Sequence, residues 1–241
     1  MRHSKQPLLF ALFAATFAVC AIARAAPPSG TTTLVYEFSR NGLALAEMTD
    51  TLRVHGAEYE LTSNAQGVGI VAVLARGQSL RRESRGAIGA TGLLPRIFSE
   101  QRGAEYRLNA EFDWAAREVV LTNAQGEKSR EPVVPNAQDR LSFPYQLAFV
   151  PGSPPAEFTV QVADGRFLTP YTFRLVGTET IRTGLGEVKA LHYTKVMSGN
   201  DTGFDLWLGL EQQLLPVRVS YADKNGARFE QSLRTFNPAR L

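Results

Sequence analysis

The chain has 241 residues, of which 44% are hydrophobic and 20% charged, with a formal net charge of +3. This is the composition of an ordinary folded protein, and no apolar run reaches the ~18 residues of a membrane-spanning helix. The positive charge belongs to the N-terminal end and does not support a nucleic-acid-binding patch.

Arg2, His3 and Lys5 form a basic start, Leu8 to Ile22 an apolar centre, and Ala23-Arg24-Ala25 a small-x-small cleavage site. Residues 1–25 therefore read as a secretory signal peptide, and the mature chain begins at Ala26 in the periplasm. The alternative, an uncut anchor, is disfavoured because the apolar run is short. Of the 26 basic residues, Arg2, Lys5 and Arg24 leave with the signal and no acid does, so 23 of each sign remain. The one cysteine, Cys20, lies inside the signal, and Val19 before it is too large for a lipidation site. The mature chain then has no thiol, which excludes disulfides, a cysteine nucleophile and a cysteine metal site.

Residues 26–31 read as a disordered leader and 32–241 as a single domain. Leu34, Tyr36 and Phe38 alternate with polar neighbours, and Asn41-Gly42 is a hairpin turn signal. Thr49 to Val54, Glu58 to Thr62 and the more continuously apolar Val68 to Ala75 follow. Ser79 to Arg85, with three arginines, suggests an edge strand or one facing a lumen. Ala104 to Trp114 gives the cleanest alternation: Tyr106, Leu108, Ala110, Phe112 and Trp114 share one face, while Glu105, Arg107, Asn109, Glu111 and Asp113 share the other. Strands of this length suit a curved sheet or barrel.

The period changes at Leu141, Tyr145, Ala148 and Phe149, spaced i, i+4, i+7, i+8. This predicts one short helix over 139–149, capped by Asp139 or Ser142, with Pro144 in its first turn and Pro151-Gly152 ending it. Alternation then resumes from Phe158 to Phe236. The expected fold class is all-β: long antiparallel strands in a curved, open or closed β-barrel-like sheet with one short helix.

No residue pattern points to a reaction. There is no G-x-S-x-G elbow, no H-E-x-x-H and no phosphate-binding glycine loop, so no catalytic residue, cofactor or metal site is assigned. His55 and His192, the two histidines of the mature chain, fall on separate strands. Glu111 and Asp113 lie on one polar strand face, about 7 Å apart along it. They could serve glycoside hydrolysis, although a solvated strand face explains them more simply. Arg85, Arg96, Asp113 and Asp139 bracket the unusual segments. At least one arginine–aspartate pair among them is expected to hold the Gly-rich segment across the barrel mouth, against the plainer reading of surface charges. Trp114 and Trp207 are core residues by default, or else line an apolar ligand cavity.

Glu83-Ser84-Arg85-Gly86, Gly92-Leu93-Leu94-Pro95 with Phe98, Phe112-Asp113-Trp114, Asp139-x-Leu141-Ser142 and Tyr145-Gln146-Leu147 follow one another at a particular spacing. Asp164-Gly165-Arg166, Gly177-x-Glu179 and Leu215-Pro216-Val217-Arg218 continue the series. In this order they resemble domain-of-unknown-function family 3108 over residues 33–236. The resemblance implies an exported envelope protein on a curved antiparallel sheet or barrel and carries no activity. The functional expectation is a non-enzymatic periplasmic protein that binds or handles an envelope component such as a lipid or other apolar ligand. An envelope glycan or ester hydrolase using acidic residues is one alternative, and an outer-membrane-associated barrel another.

Overall fold

A computed structural model of the chain describes residues 29–69, 79–199 and 202–239. The signal segment 1–25 and most of the apolar run Val68 to Ala75 lie outside the described residues.

The alternating residues form strands joined by hairpins. The first half holds β1 (Gly30–Arg40), β2 (Leu43–His55), β3 (Glu58–Gly67), β4 (Leu80–Gly89), β5 (Gly92–Arg102), β6 (Tyr106–Asp113), β7 (Glu118–Thr122) and β8 (Lys128–Pro132). β1 starts inside the stretch expected as a leader. The second half holds β9 (Gln138–Asp139), a 3-10 helix (Phe143–Ala148), β10 (Glu157–Ala163), β11 (Leu168–Thr183) and β12 (Gly186–Lys195). β13 (Phe204–Gly209), β14 (Pro216–Ala222) and β15 (Arg228–Asn237) complete it.

All fifteen strands belong to one sheet, in the order β8-β7-β6-β5-β4-β3-β2-β1-β15-β14-β13-β12-β11-β10-β9. Two antiparallel meanders thus run outward from the β1–β15 pair, where Leu34 faces Phe236 and Phe38 faces Gln231. The parallel pairing is between β9 and β10, Val162 opposite Gln138. The sheet is all-β and curved as the alternation predicts, and hydrogen bonds do not close it.

Local chemistry accounts for the turns. Asn41 and Gly42 take positive φ of 49° and 81°, the conformation that joins β1 to β2 with the twist of a two-residue hairpin. On β6, Leu108, Ala110 and Phe112 are buried while Arg107, Glu111 and Asp113 are exposed, so one face of the strand is wet as expected.

The helix is shorter and tighter than the spacing predicts. Asp139 pairs in β9, and its carboxylate Oδ1 accepts from the backbone N–H groups of Leu141 and Ser142, each at 2.8 Å. These bonds shape a turn over 139–142, so the helix begins only at Phe143, with Pro144 in its first turn. The Ser142 side chain makes no cap bond to that helix. Phe143 and Leu147 pack into one buried cluster with Val160, Phe173 and Leu206, whereas Tyr145, Ala148 and Phe149 join the larger cluster with Leu34, Tyr36 and Phe98. The helix therefore works as a plug inside the curved sheet, with an apolar side for each wall.

Candidate ligand cavity

The plug fills part of the trough and leaves a cavity of about 610 Å3 beside it. Phe38 of β1, Met48 of β2, Val162 of β10, Tyr171 of β11 and Phe204 of β13 line one part, along with Phe143 of the plug. Their inward positions follow from strand alternation, and the aromatic rings stack in a chain: Phe143 on Phe173, Phe204 on Tyr221, Tyr221 on Phe229, and Phe229 on Phe38. The volume falls in the range of small-molecule sites, about 300–1,000 Å3.

Charged groups line it as well: Arg82, Arg102, Arg140, Arg166, Lys195, Asp50 and Asp164 face the same cavity. Arg82 reaches Glu100 at 2.6 Å and Arg102 reaches its other oxygen at 2.7 Å. Despite burial, these guanidinium groups and the charge of Arg140 hold the Glu100 carboxyl below its ordinary value. Arg166 bonds Asp164 at 3.1 Å. Burial pushes the Asp50 carboxyl up, against the pull of Ser63, Tyr145 and Arg82. Its Oδ2 accepts from the Tyr145 hydroxyl at 2.6 Å, and the Tyr36 hydroxyl donates to the Pro216 carbonyl at 2.8 Å. The first bond anchors the plug to β2, and the second ties β1 to the start of β14. The lining thus mixes apolar, aromatic and charged side chains.

The residues singled out from sequence fall elsewhere. Arg85 pairs with Glu83 at 2.7 Å, and Arg96 with Glu58 at 3.1 Å, on the exposed face. Asp113 accepts from the N–H groups of Ala115 and Ala116 and closes the turn after β6. Among the described residues no arginine pairs with Asp113 or Asp139. Asp139 is fully buried, and its Oδ2 accepts from Ser84 Oγ at 2.5 Å; that hydroxyl also meets the Tyr59 hydroxyl at 2.9 Å. Burial pushes the Asp139 carboxyl up to about 6. Glu111 and Asp113 are exposed and do not line the cavity.

The Gly-rich segment is held across to residues 138–146 by other chemistry. Gln138 Nε2 donates to the Leu93 carbonyl at 2.7 Å; Gln146 Oε1 accepts from the Leu93 N–H at 2.8 Å, and its Nε2 donates to the Thr91 carbonyl at 2.9 Å. Gly92 sits at φ 101° with Gln146 so close that a Cβ would meet its amide at 2.9 Å. Trp114 adds a bond from Nε1 to the Pro95 carbonyl at 2.7 Å and stacks on Phe112. Glutamines 138 and 146 escaped sequence reasoning because an amide carries no charge or spacing signature. Only the place of Gln146 in the Tyr145-Gln146-Leu147 motif pointed toward it.

Trp207 is buried, but beside a different group. It stacks on His192 at 4.3 Å between ring centres and donates Nε1–H to Glu179 at 2.9 Å. His192 is itself held between Glu179 at 2.9 Å and Asp205 at 3.0 Å. Trp114 and Trp207 do not line the 610 Å3 cavity. Trp114 borders a smaller recess with Leu94, Val133 and Val134.

Fold and cavity together define an open, internally plugged β-trough. The chain belongs to the family described as Protein of unknown function (DUF3108), whose model matches residues 32–233. No curated protein matches the chain. Among solved structures it is similar to a protein of Bacteroides fragilis assigned as exported and given a YmcC-like fold. That pair shows 12% identity, a TM-score of 0.39, and coverage of 90% of this chain and 100% of the other. A Parabacteroides distasonis protein assigned as a lipoprotein gives 11% identity, a TM-score of 0.38, and coverage of 88% and 97%. Among the described residues no helix is long and apolar enough to cross a membrane.

Proposed function

We propose that this is a periplasmic binding protein for an apolar or amphipathic small molecule of the cell envelope, and not an enzyme. It is exported by residues 1–25, cleaved before Ala26, and works as one domain over 32–241. The observation that carries the reading is the roomy cavity beside the plug, with aromatic side chains in its lining. The hydrolase alternative loses support because Glu111 and Asp113 stand exposed on the outer face of β6. The β8 edge, with every residue exposed and three of its five charged, suits water better than hydrocarbon.

Native mass spectrometry of protein purified under mild conditions tests the proposal. A co-purifying small molecule is expected, and Ala65→Trp, which projects bulk into the cavity, should lower its occupancy. Protein that is reproducibly empty, and that binds no alkyl amphiphile when titrated, would overturn it.

A further inference from the structure

Among the described residues lining the cavity, Arg140 is an arginine without an ion-pair partner. It follows Asp139 in the turn before the plug, where its backbone N–H donates to the Ala163 carbonyl at 2.9 Å. Among the described residues its guanidinium makes no ion pair and no side-chain hydrogen bond, although it lines the cavity. Its neighbours do not supply the missing charge. Both Glu100 oxygens are taken, one by Arg82 and the other by Arg102, and Asp164 serves Arg166. Asp50, the other acid lining the cavity, takes Tyr145 on Oδ2 and keeps a buried Oδ1 without a hydrogen-bond partner. Four guanidinium groups and the Lys195 ammonium thus share a half-enclosed space with Asp50 and Asp164, beside the buried Glu100. Burial, and next the charge of Arg82, pull Arg140 below the usual arginine value, while Glu100 and Asp164 act against them.

Like charges gathered in a space of reduced dielectric repel strongly, and an incoming anion relieves the repulsion. A guanidinium with free N–H groups is also the side chain best shaped to take a carboxylate or phosphate through two parallel bonds. The same cavity is also lined by Phe38, Met48, Phe143, Tyr171 and Phe204, with the Lys195 ammonium over the Tyr171 ring at 4.7 Å. Neither set alone describes a ligand: a free inorganic anion would leave the apolar lining wet, and a neutral oil would leave Arg140 unmatched.

Resting on the binding function proposed above, we infer that the ligand is an anionic amphiphile, a phosphate or carboxylate on an alkyl or acyl chain. Arg140, with Arg82 beside it, receives the headgroup, and the aromatic lining receives the chain.

The test is calorimetric titration of the purified full protein with decyl phosphate, decanol and inorganic phosphate, the decyl compounds below their micellar concentrations. Decyl phosphate should bind at least about tenfold more tightly than decanol, consistent with one added charge-assisted contact. Inorganic phosphate should bind far more weakly than decyl phosphate. Arg140→Met should bring decyl phosphate down to the affinity of decanol while leaving decanol within about twofold of wild type. Where Arg140→Met does not fold, Arg140→Lys keeps the charge but loses the planar fork, and should weaken decyl phosphate binding about threefold or more. Equal affinity for decyl phosphate and decanol, or a preference untouched by these substitutions, would overturn the headgroup site while leaving apolar binding intact. Inorganic phosphate binding as tightly as decyl phosphate would overturn the amphiphile. Failure of both decyl compounds to bind would remove the binding function itself and this inference with it.

Discussion

Asp139 shows what a single buried carboxyl does to this fold. Its oxygens accept from Ser84, Leu141 and Ser142, yet burial outweighs them, and its carboxyl titrates near 6 instead of 3.8. For an acid raised on folding, the native state holds its proton longer than the unfolded chain does. The associated stability is complete below about pH 3.8 and is lost as pH rises through about 6. A gap of about two pH units corresponds to roughly 3 kcal/mol. Urea unfolding at pH 4 and pH 7.5 should show Asp139→Asn gaining on wild type by up to that amount at the higher pH. Asp50, raised in the same direction, and Glu100, lowered, remain in both proteins, so the difference between the two isolates Asp139. A second comparison separates exposed charge from buried amide. Arg96 and Glu58 have side chains 57% and 66% exposed, so Arg96→Met should change stability by no more than about 0.5 kcal/mol. Gln146→Ala strands the buried Leu93 N–H and should cost about 2 kcal/mol in the same measurement.

At the scale of elements, alternation carried the reading because a strand with one wet face writes its burial into every second residue. That is why Ala104 to Trp114 could be read as a strand, found over Tyr106–Asp113; Ser79 to Arg85, read as an edge or a lumen-facing strand, is paired on both sides, with Arg82 lining the cavity and Arg81 and Arg85 exposed on the other face. The short helix expected near 139–149 is present but covers only Phe143–Ala148, for a related reason. Leu141, Tyr145, Ala148 and Phe149 are apolar at helical spacing because the segment is gripped by two sheet walls, and a six-residue 3-10 plug meets that demand without a long α-helix. The arginine–aspartate pairing was not legible either. Glu83 stands two residues from Arg85 on the same strand face, and Glu58 comes within reach of Arg96 across the sheet, so nearer acids took the arginines. Asp139 faced inward toward Ser84. The cavity had no sequence signature beyond its arginines, since the residues that line it come from strands far apart in the chain.

The whole molecule is organised from its termini inward. β1 and β15 are the first and last strands in sequence and neighbours in the middle of the sheet, while β8 and β9, adjacent in sequence, are its edges. Disturbance should therefore spread according to sheet position and not to chain position. β15 is bonded on both sides, to β1 and to β14, and Leu233 is buried in the main cluster. β8 is bonded on one side, to β7, and is exposed throughout. Its Pro132 already occupies a register whose N–H is not required by the ladder, and Arg130, two residues earlier, shares that orientation. Proline at position 130 then removes no ladder bond, and the exposed Arg130–Glu118 pair it sacrifices, at 3.4 Å, is worth little. Arg130→Pro should cost about 1 kcal/mol or less in chemical unfolding. Glu230→Pro, placed where β15 faces Ser39 on one side and Ser220 on the other, should cost about 3 kcal/mol or more and leave the β1–β15 junction open to hydrogen exchange. Equal costs for the two substitutions would mean that the two meanders hold together without their central pair. The trough would then be two halves joined at the plug, and the cavity between them would depend on Tyr145 and Asp50 more than on the sheet.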